Sequence, residues 1–225
     1  EGFELRLSDG SRHVSERTRL VVGADGAASR VRHDLFGPGW PGQRYIGVQE
    51  WVTGSGDRAS FQAFFDPTIT DFYGWAIPKG DHHLFGVALP TGAEARTRFA
   101  QFREALRRHG IGGEVVHREA GLIVRPSRPF QAQGAVGGVA LIGEAGGWIS
   151  PSSAEGFSYA MRSALALATA LKTGPDGYAE RYNQAMRPVR FVLWLKRCKG
   201  TLVFRPYLRR WILQTGIRSL RRGVS

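Results

Sequence analysis

The strongest constraint on the fold is a buried strand that ends in an acidic, glycine-rich turn and leads into a helix of small residues. Residues 139–142 (VALI) have the continuous apolar character of a buried strand, and residues 143–147 (GEAGG) follow at once. After a proline-containing loop, residues 151–157 (PSSAEGF), a helix rich in alanine is predicted from near Ala154 to just before Gly174. The sequence therefore predicts a strand–turn–helix unit whose helix packs very closely on its neighbours.

This unit has the chemistry of a ligand site. Glu144, directly after the strand, can accept hydrogen bonds from the hydroxyl groups of a ligand. The loop brings the N-terminus of the helix toward the same place, and that positive end of the helix dipole favours negative charge. The alternative is an ordinary strand–loop–helix crossover with no ligand. We favour the ligand site because the strand, the acid, Pro151 and the pair Glu155-Gly156 occur in order at a fitting spacing.

A second strand-to-helix turn lies near the start of the chain. The short apolar strand at residues 20–22 leads into Gly23-Ala24-Asp25-Gly26, and a helix is predicted from Ser29 to Leu35. Glycine allows a ligand to approach the backbone closely, and the helix N-terminus can hold an anion. Asp25 as a simple helix cap and Gly26 as a turn residue would be the structural alternative.

An aromatic element occupies the middle of the chain. The runs 45–53, 60–65, 72–77 and 84–89 are rich in β-branched and aromatic residues and predict a mostly antiparallel sheet. In one of these runs, Tyr73, Trp75 and Pro78 are placed where their side chains can line a site for a planar or apolar ligand. Ordinary core packing is the alternative.

Together these segments resemble the FAD-dependent group that contains aromatic hydroxylases, flavin halogenases and geranylgeranyl reductases. Asp25-Gly26 is similar to that group's second FAD fingerprint, and Gly143-Glu144 to its third, with glutamate in place of the usual aspartate. Residues 151–157 resemble the Pro-x-x-Gly-Glu-Gly-Ile loop of the reductases, with Ala154 in place of glycine. Residues 73–80 (YGWAIPKG) resemble the aromatic element of the reductases and that of the halogenases, and the reductase branch is the better match.

The resemblance implies the fold and the cofactor. It implies an α/β fold of the FAD-binding reductase and hydroxylase type, with an antiparallel substrate sheet and a helical C-terminus. The implied cofactor is FAD. The residues implied to hold it are Asp25, Gly26, Gly143, Glu144, Ala145, Gly146, Pro151, Glu155, Gly156 and Phe157, and those implied to contact the substrate are Tyr73, Trp75 and Pro78.

The resemblance is partial because the group's opening segment, strand–Gly-x-Gly-x-x-Gly–helix, is not found in the sequence. We expect residues 1–40 and 135–175 to form the remainder of the FAD-binding domain, 41–134 the substrate sheet, and 176–225 a basic helical region. The N-terminal half of the FAD site is then expected on another segment or on a separate chain.

The positive charge of the chain is concentrated in its tail. The net charge is +12, and residues 181–225 contain 12 Arg and Lys and no Asp or Glu, so the body of the protein is neutral. That distribution is unlike a nucleic-acid-binding protein, and none is expected as a partner. Apolar residues alternate with the basic ones, which predicts amphipathic helices for a membrane surface or for packing on the body. A cytoplasmic protein, peripheral on the membrane through this tail, is expected.

The expected function is flavin-dependent reduction of isoprenoid double bonds in a lipid. A flavin monooxygenase or halogenase acting on an aromatic substrate is the first alternative, and a non-catalytic membrane- or partner-binding fragment is the second. No proton donor can be named from the sequence. His82-His83 has no third ligand nearby, so no metal site is predicted.

Overall fold

The computed structural model describes residues 2–37, 42–53, 60–127 and 132–214, with the backbone alone for 212–214. The strands are β1 Phe3–Ser8, β2 His13–Thr18, β3 Val21–Gly23, β4 Gly42–Thr53, β5 Gln62–Phe64, β6 Gly74–Lys79, β7 His82–Pro90, β8 Val115–Pro126, β9 Ala135–Val136 and β10 Val139–Leu141. The helices are α1 Arg30–Phe36, α2 Ala95–Arg108, α3 Phe157–Leu171, α4 Tyr178–Ala185, α5 Arg187–Val203 and α6 Pro206–Gln214. The mixed α/β class with antiparallel sheets and C-terminal helices is as predicted.

The chain divides into two compact units. Unit 1 comprises Glu1–Gly42 and Val124–Lys199, and unit 2 comprises Gln43–Ile123 and Gly200–Ser225. The three boundaries between the units fall after Gly42 in β4, after Ile123 in β8 and after Lys199 in α5, so each of these elements contributes residues to both units.

Unit 1 contains a hairpin and a small sheet. β1 and β2 pair antiparallel around the Asp9-Gly10 turn. The three-stranded sheet has the order β3-β10-β9, and β3 pairs with β10 in parallel. Its core contains large side chains with almost no exposed surface, including Trp148, Tyr182 and Met186, because α3 and α4 pack there. This packing fixes the strand ends from which the candidate site is built.

Unit 2 is an antiparallel sheet covered by α2. Its strand order is β5-β6-β7-β4-β8. One face of the sheet packs against Phe99, Phe102 and Leu106 of α2. Gly74 on β6 is required by this packing, because a Cβ atom there would overlap the ring of Phe102. The opposite face carries the even-numbered residues 84–88 of β7, since side chains alternate along a strand.

Two predicted helix starts are displaced by one to three residues, at α1 and at α3. α1 begins at Arg30, one residue after the predicted start at Ser29. α3 begins at Phe157 rather than near Ala154, because residues 150–155 form a compact turn of their own. α2 begins at Ala95; Thr91 and Glu94 have the spacing of a capping box, but Glu94 is the N-cap residue and its side chain makes no capping hydrogen bond.

Candidate functional site

The candidate site in unit 1 lies where two parallel strands end. Gly23, the last residue of β3, is paired with Leu141, the last residue of β10, and Ile142 extends the ladder by donating its amide hydrogen to the Gly23 carbonyl at 3.0 Å. The carboxyl ends of parallel strands meet at one edge of a sheet, which is the usual place for a ligand in such folds. The turns that begin at Ala24 and Gly143 therefore leave the sheet side by side.

Asp25 closes the first turn by capping α1. One carboxylate oxygen accepts from the Ser29 hydroxyl at 2.5 Å, and the other accepts from the amides of Arg30 at 2.7 Å and Val31 at 3.2 Å. Partial burial raises the pKa of Asp25, but the hydrogen bonds from Ser29, Val31 and Arg30 outweigh it and leave the pKa below its ordinary value. Both oxygens of Asp25 thus hold the turn, and Gly26, at φ +73°, is in a conformation that favours glycine.

Arg32 ties the two turns together. Its buried guanidinium donates to the carbonyl of Ala27 at 2.9 Å, to that of Glu144 at 3.2 Å and to that of Ala145 at 2.7 Å. Arg32 is not among the residues predicted from the sequence. Its position in the sequence gives one indication of its burial: it lies three residues after the capping Ser29, on the buried face of α1.

The second turn is a single 3-10 turn, Gly143–Gly146, that requires glycine at its ends. Gly143 has φ +56° and donates its amide hydrogen to the Ser163 hydroxyl on α3 at 2.9 Å. Gly147 caps the turn at φ +74°. Ala145 and Gly146 are buried behind it, so the turn presents only the Glu144 side chain outward.

Glu144 is a half-buried carboxylate without a donor. Among the residues that the structure describes, no side chain or amide donates a hydrogen bond to its carboxylate. Burial raises the pKa of Glu144 above its ordinary value. Its Oε1 atom lies so near Gly156 that a Cβ atom added to that glycine would be 3.0 Å away. The structure therefore brings the Glu144 carboxylate next to Gly156 of the Glu155-Gly156 pair.

The loop between the turn and α3 is closed by its own backbone. Ser150 donates to the Glu155 carbonyl at 2.9 Å and accepts, through its carbonyl, from Ala154 at 2.9 Å. The buried Pro151 accepts from the Arg125 guanidinium at 2.7 Å. Ala154 has φ +49° and is the only non-glycine residue of the described ranges with a positive φ. Alanine thus occupies a left-handed position that favours glycine.

The start of α3 is partly capped from within. The Glu155 carboxylate accepts from the Ser158 amide at 2.8 Å and from its hydroxyl at 3.1 Å. Within the described part of the chain, the amides of Gly156 and Phe157 donate to no acceptor. The start of α3 therefore offers these two amides beside Glu144 as hydrogen-bond donors for a ligand, whereas the Glu155 carboxylate is used within the helix.

Two of the three predicted substrate residues, Tyr73 and Trp75, lie in an aromatic cluster of unit 2. Tyr73 contacts the rings of Phe65, Phe72, Trp75 and Phe204, with centroids between 4.8 and 6.5 Å apart. Burial raises the pKa of Tyr73 to about 12, so its hydroxyl stays protonated. Pro78 lies farther along β6, paired with His83 of β7.

The histidine pair lies at the start of a strand of unit 2. His82 and His83 open β7, and the His83 ring is buried and stacked on Phe85 with centroids 5.9 Å apart. Across the ranges that the structure covers, no group of three or more His, Cys, Asp or Glu side chains is arranged to hold a metal ion.

The C-terminal helices expose a stripe of apolar residues. On α5 the exposed side chains of Phe191, Leu195 and Leu202 share one face, and on α6 the exposed fractions of Tyr207 and Trp211 are 89% and 62%. As far as the described residues extend, no helix has both the length and the apolar character to cross a membrane. The predicted tail beyond residue 214 lies outside the described residues.

Comparison with known sequences gives a relative but no family model. No family model matches the chain. Protein CbrA of Escherichia coli O6:H1 is 35% identical over 214 residues, which are 95% of this chain and 57% of CbrA. The chain therefore spans little more than half the length of the curated relatives it matches.

Comparison with solved structures gives the fold. A geranylgeranyl bacteriochlorophyll reductase-like protein from Thermoplasma acidophilum has a TM-score of 0.69 at 16% identity, covering 96% of this chain and 58% of that one. HpxO of Klebsiella pneumoniae, solved with FAD and uric acid, has 0.62 at 20% identity, covering 90% and 57%. The flavin-dependent halogenase CmlS has 0.64 at 20% identity, covering 87% and 38%. The chain has the α/β fold of the FAD-binding reductases and hydroxylases.

Proposed function

We propose that this chain is the flavin-facing and substrate-facing part of an FAD-dependent oxidoreductase that reduces carbon–carbon double bonds of an isoprenoid lipid. The observation that supports FAD as the cofactor is the state of the Glu144 carboxylate. It is half-buried at the end of two parallel strands, and no group in the described chain donates a hydrogen bond to it. A carboxylate in that state suits the row of hydroxyl groups on the ribityl chain of FAD.

The surrounding residues fit the same cofactor. Ala145 and Gly146, next to Glu144, have small or no side chains, so they take up little space behind the carboxylate. The hydrogen bonds of Pro151 and Glu155 fix the loop that leads into α3. The amides of Gly156 and Phe157 would donate to the part of the flavin that becomes negative on reduction, N1 and O2. Asp25 and Gly26 hold the adjoining turn. Bound FAD would supply hydride transfer; the residues of this chain would orient it and exclude water.

The reductase branch is our choice among the flavin chemistries. The loop at residues 151–157 resembles that of the reductases, and the reductase-like protein from Thermoplasma acidophilum shares the fold over 96% of this chain. Tyr73 and Trp75 are proposed to line the substrate site, because a cluster of five aromatic rings offers the apolar surface that an isoprenoid chain needs. Pro78 is left out of this site, because it is paired with His83 and so lies on the α2 side of the sheet, opposite to Trp75. We name no proton donor.

We further propose that the rest of the protein covers an apolar face of unit 1. Phe157, Met161 and Leu165 lie four residues apart on one face of α3, with 75%, 56% and 70% of their surface exposed. β3 is the end strand of its sheet as described, and it carries the exposed Val22. Such a face suits a further strand and helix holding the other half of FAD, on another segment or chain.

The test uses the full-length protein that contains this chain. We expect it to purify with the visible absorbance of a flavin, and Glu144→Ala to weaken FAD binding at least tenfold, about 1.4 kcal/mol. Glu16→Ala, at an exposed position of β2, is the matched control. If the full-length protein binds no FAD, the enzyme proposals fail and a non-catalytic binding role stands.

The reaction product distinguishes a lipid reductase from a flavin monooxygenase or a halogenase. After anaerobic reduction, mass analysis of an added polyprenyl lipid should show a gain of two hydrogens for each double bond reduced. A flavin monooxygenase or a halogenase is the competing candidate, supported by the fold shared with HpxO and CmlS. Incorporation of oxygen or halogen into an aromatic substrate, with no reduction of the lipid, would decide for that candidate.

We also propose that the basic tail holds the protein on an anionic membrane surface. The exposed apolar stripe of α5 is flanked by basic residues, including Arg187 and Lys199, and about 1 kcal/mol is gained for each Lys or Arg near such a surface. Tyr207 and Trp211 suit the headgroup region. A peripheral membrane location would give access to a lipid substrate.

A further inference from the structure

One row of residues crosses the face of the unit 2 sheet that is opposite α2. Trp75 of β6 is paired with Gly86 of β7, and Gly86 is paired with Gln49 of β4. Paired residues on neighbouring strands point to the same side of a sheet. Since Phe85 and Val87 of β7 pack against α2, Trp75, Gly86 and Gln49 lie on the other side.

Gly86 makes the row continuous. The indole of Trp75 lies directly over this glycine: a Cβ atom added there would be 2.6 Å from its Nε1 atom, closer than any real contact. The absence of a side chain at position 86 thus lets the Trp75 ring bridge from its own strand toward Gln49. At its far side, Trp75 packs edge-on against Tyr73 with centroids 5.9 Å apart. The row therefore has an aromatic end.

The other end of the row is polar and negative. Glu119 of β8, the strand beside β4, accepts hydrogen bonds on Oε1 from the Gln49 amide and from Trp51 Nε1 at 3.3 Å. These hydrogen bonds lower the pKa of the exposed Glu119, which is therefore ionised at neutral pH. Within the described residues, Glu119 Oε2 and Gln49 Oε1 accept from no other group. Two acceptor oxygens thus face solvent beside the aromatic surface.

We propose that this row selects ligands with an apolar body and a hydrogen-bond-donating end, a hydroxyl or an ammonium group. The body lies on Tyr73 and Trp75, and the donor end is bound by Glu119 and Gln49. A phosphate or carboxylate end is rejected, because it brings negative charge to an ionised carboxylate whose own donors are already used. The inference rests on the proposed function only where it identifies this ligand with the substrate of the enzyme. The substrate class is then narrowed to an isoprenoid alcohol or amine.

The test compares three probes with one chain and different ends: farnesol, farnesylamine and farnesyl diphosphate. Binding to the full-length protein is followed by tryptophan fluorescence, since Trp75 belongs to the row and Trp51 donates a hydrogen bond to Glu119. We expect the alcohol and the amine to bind at least tenfold more tightly than the diphosphate. Glu119→Gln should weaken the amine about tenfold, the usual loss for one charge-assisted hydrogen bond, and reduce the rejection of the diphosphate.

Glu114→Gln is the matched control, an exposed glutamate just before β8 that is outside the row. The inference is overturned if no probe binds, if the diphosphate binds as well as the amine, or if the two variants behave alike. Flavin content is measured in every sample. Glu119-dependent selectivity in a protein without flavin would sink the proposed function alone, whereas a flavin-bound, lipid-reducing protein without that selectivity would sink this inference alone.

Discussion

At the scale of single residues, burial of the Glu144 carboxylate destabilises the folded chain, because no hydrogen bond within the described residues compensates for the lost hydration. Burial raises its pKa, so the folded state holds the proton more tightly than the unfolded chain. The stability of the protein without ligand therefore falls as pH rises from the unfolded pKa through the folded one, and it stays lower above that range. This is the behaviour expected of a carboxylate kept for a ligand.

Glu144→Gln should raise the stability of the ligand-free chain at neutral pH by about 1 kcal/mol, because the unsatisfied charge is removed. The gain should shrink toward low pH, where the carboxyl group is already neutral. Thermal unfolding across pH 4–8 measures it. Glu16→Gln, on the exposed β2, should show no such pH dependence. A gain of the same size at every pH would contradict this reading of Glu144.

Arg32 makes the opposite contribution. Arg32→Met should destabilise unit 1 by about 3 kcal/mol, because three carbonyls lose a charged donor and two of them, Glu144 and Ala145, belong to the second turn. Hydrogen exchange should speed up in both turns together. Arg30→Met, exposed on the same helix, is the control and should be nearly neutral. Faster exchange confined to residues 24–29 would show that Arg32 does not couple the turns.

These two residues mark the limit of prediction from the sequence. Glu144 was found because its position after a buried strand is a local pattern. Arg32 was not found, because its partners are 112 and 113 residues away and no local spacing reports them. The capping role of Asp25 was foreseen as the structural alternative, and its hydrogen bonds to Arg30 and Val31 agree with it.

At the scale of elements, the Ser150–Glu155 turn contains a strained residue. Ala154 has φ +49°, which costs about 1 kcal/mol in a residue with a side chain. Ala154→Gly should relieve this strain and raise the free energy of unfolding by up to about 1 kcal/mol, while Ala154→Val should lower it by at least that amount. Urea unfolding of the three proteins is the measurement. A valine variant as stable as the glycine variant would exclude the strain.

The ends of helices were harder to predict than their existence. Thr91 and Glu94 have the spacing of a capping box, but the Glu94 carboxylate pairs with Arg98 at 2.8 Å, which takes it away from the cap. At the start of α4 the N-cap residue is Gly177, at φ +68°, and it offers no side chain to cap the helix. The position of Arg98 one turn along α2 decides the first outcome, and a capping pattern does not specify such a partner.

At the scale of the whole molecule, the basic tail gives a testable location. The full-length protein should bind vesicles containing phosphatidylserine and lose at least tenfold in affinity when Phe191 and Leu195 are both changed to Glu, since this places charge in the apolar stripe. Co-sedimentation is the measurement. The matched control is Leu7→Glu, an exposed apolar residue of the β1–β2 hairpin. Truncation is unsuitable, because Tyr182 and Met186 are buried in the core of unit 1.

Binding that is unchanged by the double substitution, or equal on neutral vesicles, would leave the tail as a packing element. The sequence alone left these two roles open. The structure assigns Leu193 and Val203 of α5 to the buried side and Phe191 and Leu195 to the exposed side, so one helix has surfaces for both.

The parallel pairing of β3 with β10 has a consequence for how the chain comes off the ribosome. Arg32 is made 112 residues before Glu144, the group it must reach, which is about 10 s of synthesis at typical rates. In that interval β4 to β7 and α2 emerge in full and can already pair, because their contacts are close in the sequence. The turns that are proposed to hold the flavin are therefore completed only after most of the unit 2 sheet has been synthesised.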